Sequence, residues 1–91
     1  MAQIVMVVRD FPLSDNTVVE WERGGYTEWV VARGIHIEHR ENAFARKLYP
    51  GEVVECYWDS GTYCTTKEGA MRIGIEREKE SLQYLEETYK I

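Results

Sequence analysis

TTKEGAMRIGIEREKESLQYLEETYKI, residues 65–91, decides how the remainder of the chain is read. Met71, Ile75, Leu82, Leu85 and Tyr89 recur at alternating steps of four and three, with Glu78 the one polar member of the series. That spacing places them on one stripe of a helix. Thr65 followed by Glu68 has the form of a capping box, in which each side chain satisfies a free backbone N–H of the first turn. A competing pattern runs through the same residues. Met71, Ile73 and Ile75 also alternate at period two, and Gly69 and Gly74 each cost about 1 kcal/mol inside a helix. Ala70 to Glu76 would then be a strand. The cap and the stripe agree with each other, so the spacing predicts one long amphipathic helix lying on a sheet.

Working outward, the preceding residues supply strands. Gln3 to Arg9 is a β-branched run punctuated by Phe11-Pro12 and Ser14-Asp15-Asn16. Thr17 to Glu22 alternates, with Val19 and Trp21 on one face and Val18, Glu20 and Glu22 on the other. Gly24-Gly25 joins this run to Tyr26–Arg33 as a β-hairpin, which sets Trp21 opposite Glu28 and Glu20 opposite Trp29, with the two Trp diagonal neighbours. Gly34 reads as a bulge or bend in one long strand that continues through Ile35 to His39. Glu41 to Leu48 has helix propensity over about two turns, and Tyr49-Pro50-Gly51 ends it. Glu52 to Trp58 is a strand, Asp59-Ser60-Gly61 a hairpin loop, and Tyr63 to Thr65 the returning strand. The expected fold is α+β: an antiparallel sheet of about five strands packed against one long C-terminal helix, with one short extra helix, in a single domain spanning 1–91.

The chain carries a net charge of −5, and its three Trp, six Tyr and two Phe exceed what a core of this size encloses. Some rings therefore belong to the surface, where Tyr and Trp are preferred contact residues. The acidic balance speaks against duplex DNA, which calls for a basic face. Charge is uneven: residues 10–28 hold five acids against one base, whereas residues 33–49 hold four bases against two acids. No run approaches the ~20 apolar residues of a membrane span, and no secretory leader is evident. Two cysteines in an ordinary composition fit free thiols in a reducing cytoplasm.

His36, His39, Cys56 and Cys64 are residue types that bind zinc. The two His fall on opposite faces of a strand, however, and the Cys lack the close spacing of a zinc site. Across a three-residue loop, Cys56 and Cys64 would face each other. No nucleophile elbow or phosphate loop is present, and the carboxylates of 76–80 read as a solvated helix face. The expectation is a non-enzymatic chain with no catalytic residue, metal, cofactor or small-molecule substrate.

Two features point to partners. Ile73, Tyr84 and Ile91 form a second helical stripe opposite the first, and with Tyr57 and Tyr63 they are the expected contact residues for another protein or a second copy of this chain. Arg40, Arg46, Lys47 and Tyr49 interleave cations with rings, the pattern that grips single-stranded nucleic acid or RNA. The net charge ranks that second. The leading expectation is a small cytoplasmic protein-binding module: an acidic inhibitor or regulator of a larger nucleic-acid-processing machine, in the manner of phage-encoded inhibitors.

Overall fold

A computed structural model describes residues 2–38 and 47–90. Four antiparallel strands, β1 (Gln3–Phe11), β2 (Asn16–Arg23), β3 (Tyr26–Ile37) and β4 (Val53–Cys64), close into a barrel in sequence order, and helix α1 (Lys67–Tyr89) lies against its outer wall. The β-branched runs became strands as their propensity demands. Gly24 and Gly25 both take positive φ, +58° and +84°, and form the tight turn between β2 and β3. The register follows from that turn, with Trp21 opposite Glu28 and Glu20 opposite Trp29. The two Trp are nevertheless on opposite faces. Trp21 packs against the barrel interior and Trp29 against the helix side, because consecutive positions of a strand alternate.

The expected five-strand count fails at Asp59-Ser60-Gly61. These residues do not reverse the chain; they lie within β4, a single strand of twelve residues. Its partner β3 has the same length. Gly34 of β3 takes φ +68°, and a Cβ there would overlap the Asp59 carboxylate. On β3, Val30 and Ala32 face the barrel interior, and so do Ile35 and Ile37. The pleat therefore reverses at Gly34. Opposite, Trp58 and Cys56 face inward below Asp59, while Gly61 and Tyr63 face inward above it. Both strands reverse at the same level, so the ladder runs on from Arg33–Ser60 to Ile35–Trp58 without a change of register. Residues with turn chemistry supply a bend here.

β1 has its own irregularity. Val7 pairs with Val19 and Arg9 with Val18, which leaves Val8 as a bulge. The extra residue lets Val7 point into the barrel and Phe11 point out towards α1. The barrel core is built from small β-branched residues: Val7, Val19, Val30 and Ala32 are fully buried, and Leu48 closes one part of it. Of the expected short helix, residues 41–46 lie outside the described residues; Lys47, Leu48 and Tyr49 have no regular structure. A single 3-10 turn, Pro12–Ser14, joins β1 to β2 instead.

The helix is continuous through 70–76, so the strand alternative is set aside. Its N-cap is Thr66, one residue later than expected, and the Thr66 hydroxyl accepts from the Gly69 N–H at 3.1 Å. The buried face is not the Met71–Tyr89 stripe. It runs through Ala70 and Gly74, with Ile73 and Met71 packed beside them against Phe11, Val18 and Val31. Phe11 fills the space, so the helix presents small residues to it; a Cβ at position 74 would stand 2.5 Å from the Phe11 ring. Ile75 and Leu82 of the expected stripe remain 41% and 46% exposed, flanking this seam. Polar contacts fix the helix rotation. Glu78 accepts from the backbone N–H of Leu13 and of Ser14, the latter at 2.8 Å. Arg77 donates to Asn16 Oδ1 and to Thr62 Oγ1, both at 3.0 Å.

Gly74→Ala tests that seam. Helix propensity alone favours the substitution by about 1 kcal/mol, whereas overpacking costs about 1–3 kcal/mol. We expect a net loss near 1 kcal/mol, a fall in Tm of about 5 °C. A rise in Tm would show that the helix is not seated on Phe11.

Candidate interaction surface

The barrel wall is not uniformly sealed. The β1–β2 ladder ends at Met6–Glu20, while β2 continues to Arg23 beside β3 and β1 continues back to Gln3 beside β4. Aromatic side chains fill the gap between the diverging strands. Trp21 and Trp58 meet edge to face, with ring centroids 5.4 Å apart and planes at 73°. Tyr63 lies 6.3 Å from Trp21, tilted at 33°, and its hydroxyl accepts from Trp58 Nε1–H at 3.3 Å. The Trp58 indole lies across Gly61, where a Cβ would stand 2.9 Å from Nε1. The result is a shallow hollow of about 290 Å³ lined by Gln3, Trp21, Tyr57, Trp58 and Tyr63. Edge-to-face packing stabilises such a cluster by about 0.5–1.5 kcal/mol per pair beyond area burial.

Charge surrounds the rings. Trp21 Nε1–H donates to Glu28 Oε1 at 3.0 Å, and the Arg23 guanidinium sits 5.9 Å from the Trp21 ring centroid. The negative face of an indole attracts a cation in this way. On the adjoining outer face of β4, Tyr57 stacks on its cross-strand partner His36 with centroids 4.7 Å apart, and His36 Nε2 is 2.9 Å from Asp59 Oδ1. Ile4 and Val53 lie on the same outward side, 71% and 67% exposed. Ile4, Val53 and Tyr57 thus share one outward side of β1 and β4 with Glu55, the exposed cross-strand partner of Ile4.

Of the residues singled out from the sequence, Tyr57 and Tyr63 are brought together here. Ile73 is not part of any free stripe: it packs against the barrel with Ala70. Tyr84 is exposed and lines a different hollow, between α1 and the barrel. Ile91 lies outside the described residues. So do His39, Arg40 and Arg46, whereas Lys47 and Tyr49 are exposed near the start of β4. The expected facing of Cys56 and Cys64 is overturned. Eight positions apart on one strand, they are separated by roughly 26 Å, far beyond the ~7 Å limit for a disulfide. Cys56 is buried and Cys64 half-buried; burial pushes the Cys56 thiol up to about 11, which removes it as a nucleophile at neutral pH. Among the described residues, no three His, Cys, Asp or Glu side chains gather to hold a metal, and no helix is long and apolar enough to cross a membrane.

Trp21 and Trp58 were not singled out as contact residues from the sequence. The signal was available in the facing positions Trp21 and Glu28, but their exposure depends on where two ladders part. A second polar pair ties β1 to β2 at their Asp10–Thr17 register position. The Thr17 hydroxyl donates to Asp10 Oδ1 at 2.9 Å. Burial pushes the Asp10 carboxyl above its usual range; the Thr17 bond works against that and the Glu78 charge adds to it.

No family model, curated protein or solved structure matches the chain.

Two measurements check this geometry. Maleimide labelling of the folded protein is expected to modify Cys64 rapidly and Cys56 only on unfolding; equal rates would mean that the barrel interior is open to reagent. The fold binds the Asp10 proton more tightly than the unfolded chain does, so this group's contribution falls as pH rises from the ordinary carboxylate range through the raised value. Asp10→Asn is therefore expected to melt higher than wild type at neutral pH. The two Tm values should converge as the pH drops below the ordinary range, and a constant difference would assign the effect to something other than ionisation.

Proposed function

We propose that this chain is a protein-binding module whose contact surface is the aromatic opening of the barrel together with the outer face of β4. The observation that carries the reading is the Trp21–Trp58–Tyr63 cluster set in a gap of the wall, with Arg23 already resting on the Trp21 ring. Large rings with polar handles dominate binding energy at protein interfaces. The arrangement suits a partner segment that offers an arginine or lysine side chain to the rings and apolar groups to Ile4, Val53 and Tyr57. A net charge of −5 steers the chain towards a basic surface. Basic surfaces are the working faces of nucleic-acid-processing machines, so a small acidic module of this kind acts as an inhibitor or regulator that covers one. Of the residues expected to serve self-association, Ile73 belongs to the helix–barrel seam, while Tyr84 is exposed and Ile91 lies outside the described residues.

The test is affinity capture from the source cells with wild type, with Tyr57→Ala/Tyr63→Ala, and with the control Tyr89→Ala, whose ring is exposed at the end of α1. A partner is expected that the control retains and that the double variant binds about 30-fold more weakly, the effect of losing ~2 kcal/mol of contact energy. Equal retention by the double variant, with its circular dichroism unchanged, would overturn the assignment of this surface.

A further inference from the structure

On the other side of the molecule, between α1 and the barrel wall, is a cleft of about 530 Å³ whose lining includes Ser14, Asn16, Arg33, Arg77, Ser81 and Tyr84. We propose that this cleft binds a small organic phosphate, with the phosphoryl group between the Arg33 and Arg77 guanidinium groups and the body of the ligand on the Tyr84 ring.

The two arginines are 44 positions apart in sequence, and Asn16 brings them to one place. Asn16 is 2% exposed, and its Nδ2–H donates to the Ser14 carbonyl at 2.8 Å. That bond turns its oxygen towards Arg77, which donates to it at 3.0 Å. A second Arg77 nitrogen donates to Thr62 Oγ1. Both acceptors are neutral. The Arg77 side chain is therefore held in one orientation while its charge is left uncompensated, and three of its five N–H groups remain to donate. Arg33 is the cross-strand partner of Asn16, so its side chain leaves the barrel on the same face. It is exposed, and no hydrogen bond or ion pair joins it to any described residue.

Carboxylates near the cleft do not cancel this charge. Glu78 is committed to the backbone N–H groups of Leu13 and Ser14. Glu80 lines the cleft as well but forms no ion pair with either arginine. In a chain with more acids than bases, two arginines lining one cleft, neither ion-paired to the Glu80 that lines it with them, mark a place for an external anion. Two guanidinium forks suit a dianion with several acceptor oxygens better than a single carboxylate. The Ser81 hydroxyl adds a donor at the same opening, whereas the Ser14 hydroxyl donates to the Phe11 carbonyl. Tyr84, 67% exposed, offers a ring face to a flat or apolar body, and the volume falls within the range of small-molecule sites.

The experiment follows the Arg33 and Arg77 Nε–Hε signals by NMR while adenosine monophosphate, inorganic phosphate and benzoate are titrated in turn. Adenosine monophosphate is expected to shift both signals and to bind about tenfold more tightly than inorganic phosphate, with benzoate weakest. Arg33→Ala, a surface substitution outside the Asn16–Thr62 bonding, should weaken both phosphates by about tenfold. Tyr84→Ala should bring adenosine monophosphate down to the level of inorganic phosphate while leaving the latter unchanged. Absence of shifts at millimolar phosphate, unchanged affinity in Arg33→Ala, or benzoate binding as tightly as the phosphates would each overturn the proposal.

Discussion

A carboxylate stands where a side chain would have to go. Asp59 occupies the space beside Gly34, and only a residue without Cβ permits that approach at φ +68°. At the level of this contact the pleat reverses in both long strands. Below it, β4 turns Cys56 and Trp58 into the barrel; above it, the inward side passes to Gly61 and Tyr63. Without the paired reversal, Tyr63 would point away from Trp21 and Thr62 would point into the barrel rather than to Arg77. The aromatic opening and the helix clamp both depend on it.

The helix side obeys a complementary constraint. The β1 bulge at Val8 turns Phe11 outward, and the helix meets that ring with Ala70 and Gly74. Closest approach falls where side chains are smallest. The larger apolar residues of α1 line the flanks of the contact, and Arg77 and Glu78 fix the rotation by bonding to β2, β4 and the 3-10 turn. Orientation here is set by shape and hydrogen bonds more than by the width of an apolar stripe.

Those two constraints explain what could be read from the sequence. β-branched runs marked the strands, Gly24-Gly25 fixed the β2–β3 register, and the threonine cap with its following pattern marked the helix. Asp59-Ser60-Gly61 misled because turn chemistry and bend chemistry use the same residues; only the presence of Gly34 on the partner strand distinguishes them, and that pairing is a tertiary fact. The buried helix face was missed because Ala and Gly carry no apolar signal. Tyr57 and Tyr63 were legible as surface rings, but their companions Trp21 and Trp58 depended on where the β1–β2 ladder stops. Arg33 and Arg77 meet only through Asn16, a residue that no spacing rule selects.

The seams of the barrel are unequal, and that bears on how the chain reaches its fold. β2 and β3 share eight register pairs across a two-residue turn, whereas β1 and β4 share four, from Gln3–Cys56 to Met6–Val53. The first seam forms between neighbours in sequence. The second closes a loop of nearly fifty residues and carries that loop's entropy. The hairpin is therefore the natural nucleus, and closure of β1 on β4 comes late and limits the rate. The same weakness makes that seam the first to open in the native state, by local fluctuation. Ile4 and Val53, the bare apolar residues of the outer face, sit on either side of it, so a seam of four register pairs lies beneath the surface assigned to its partner.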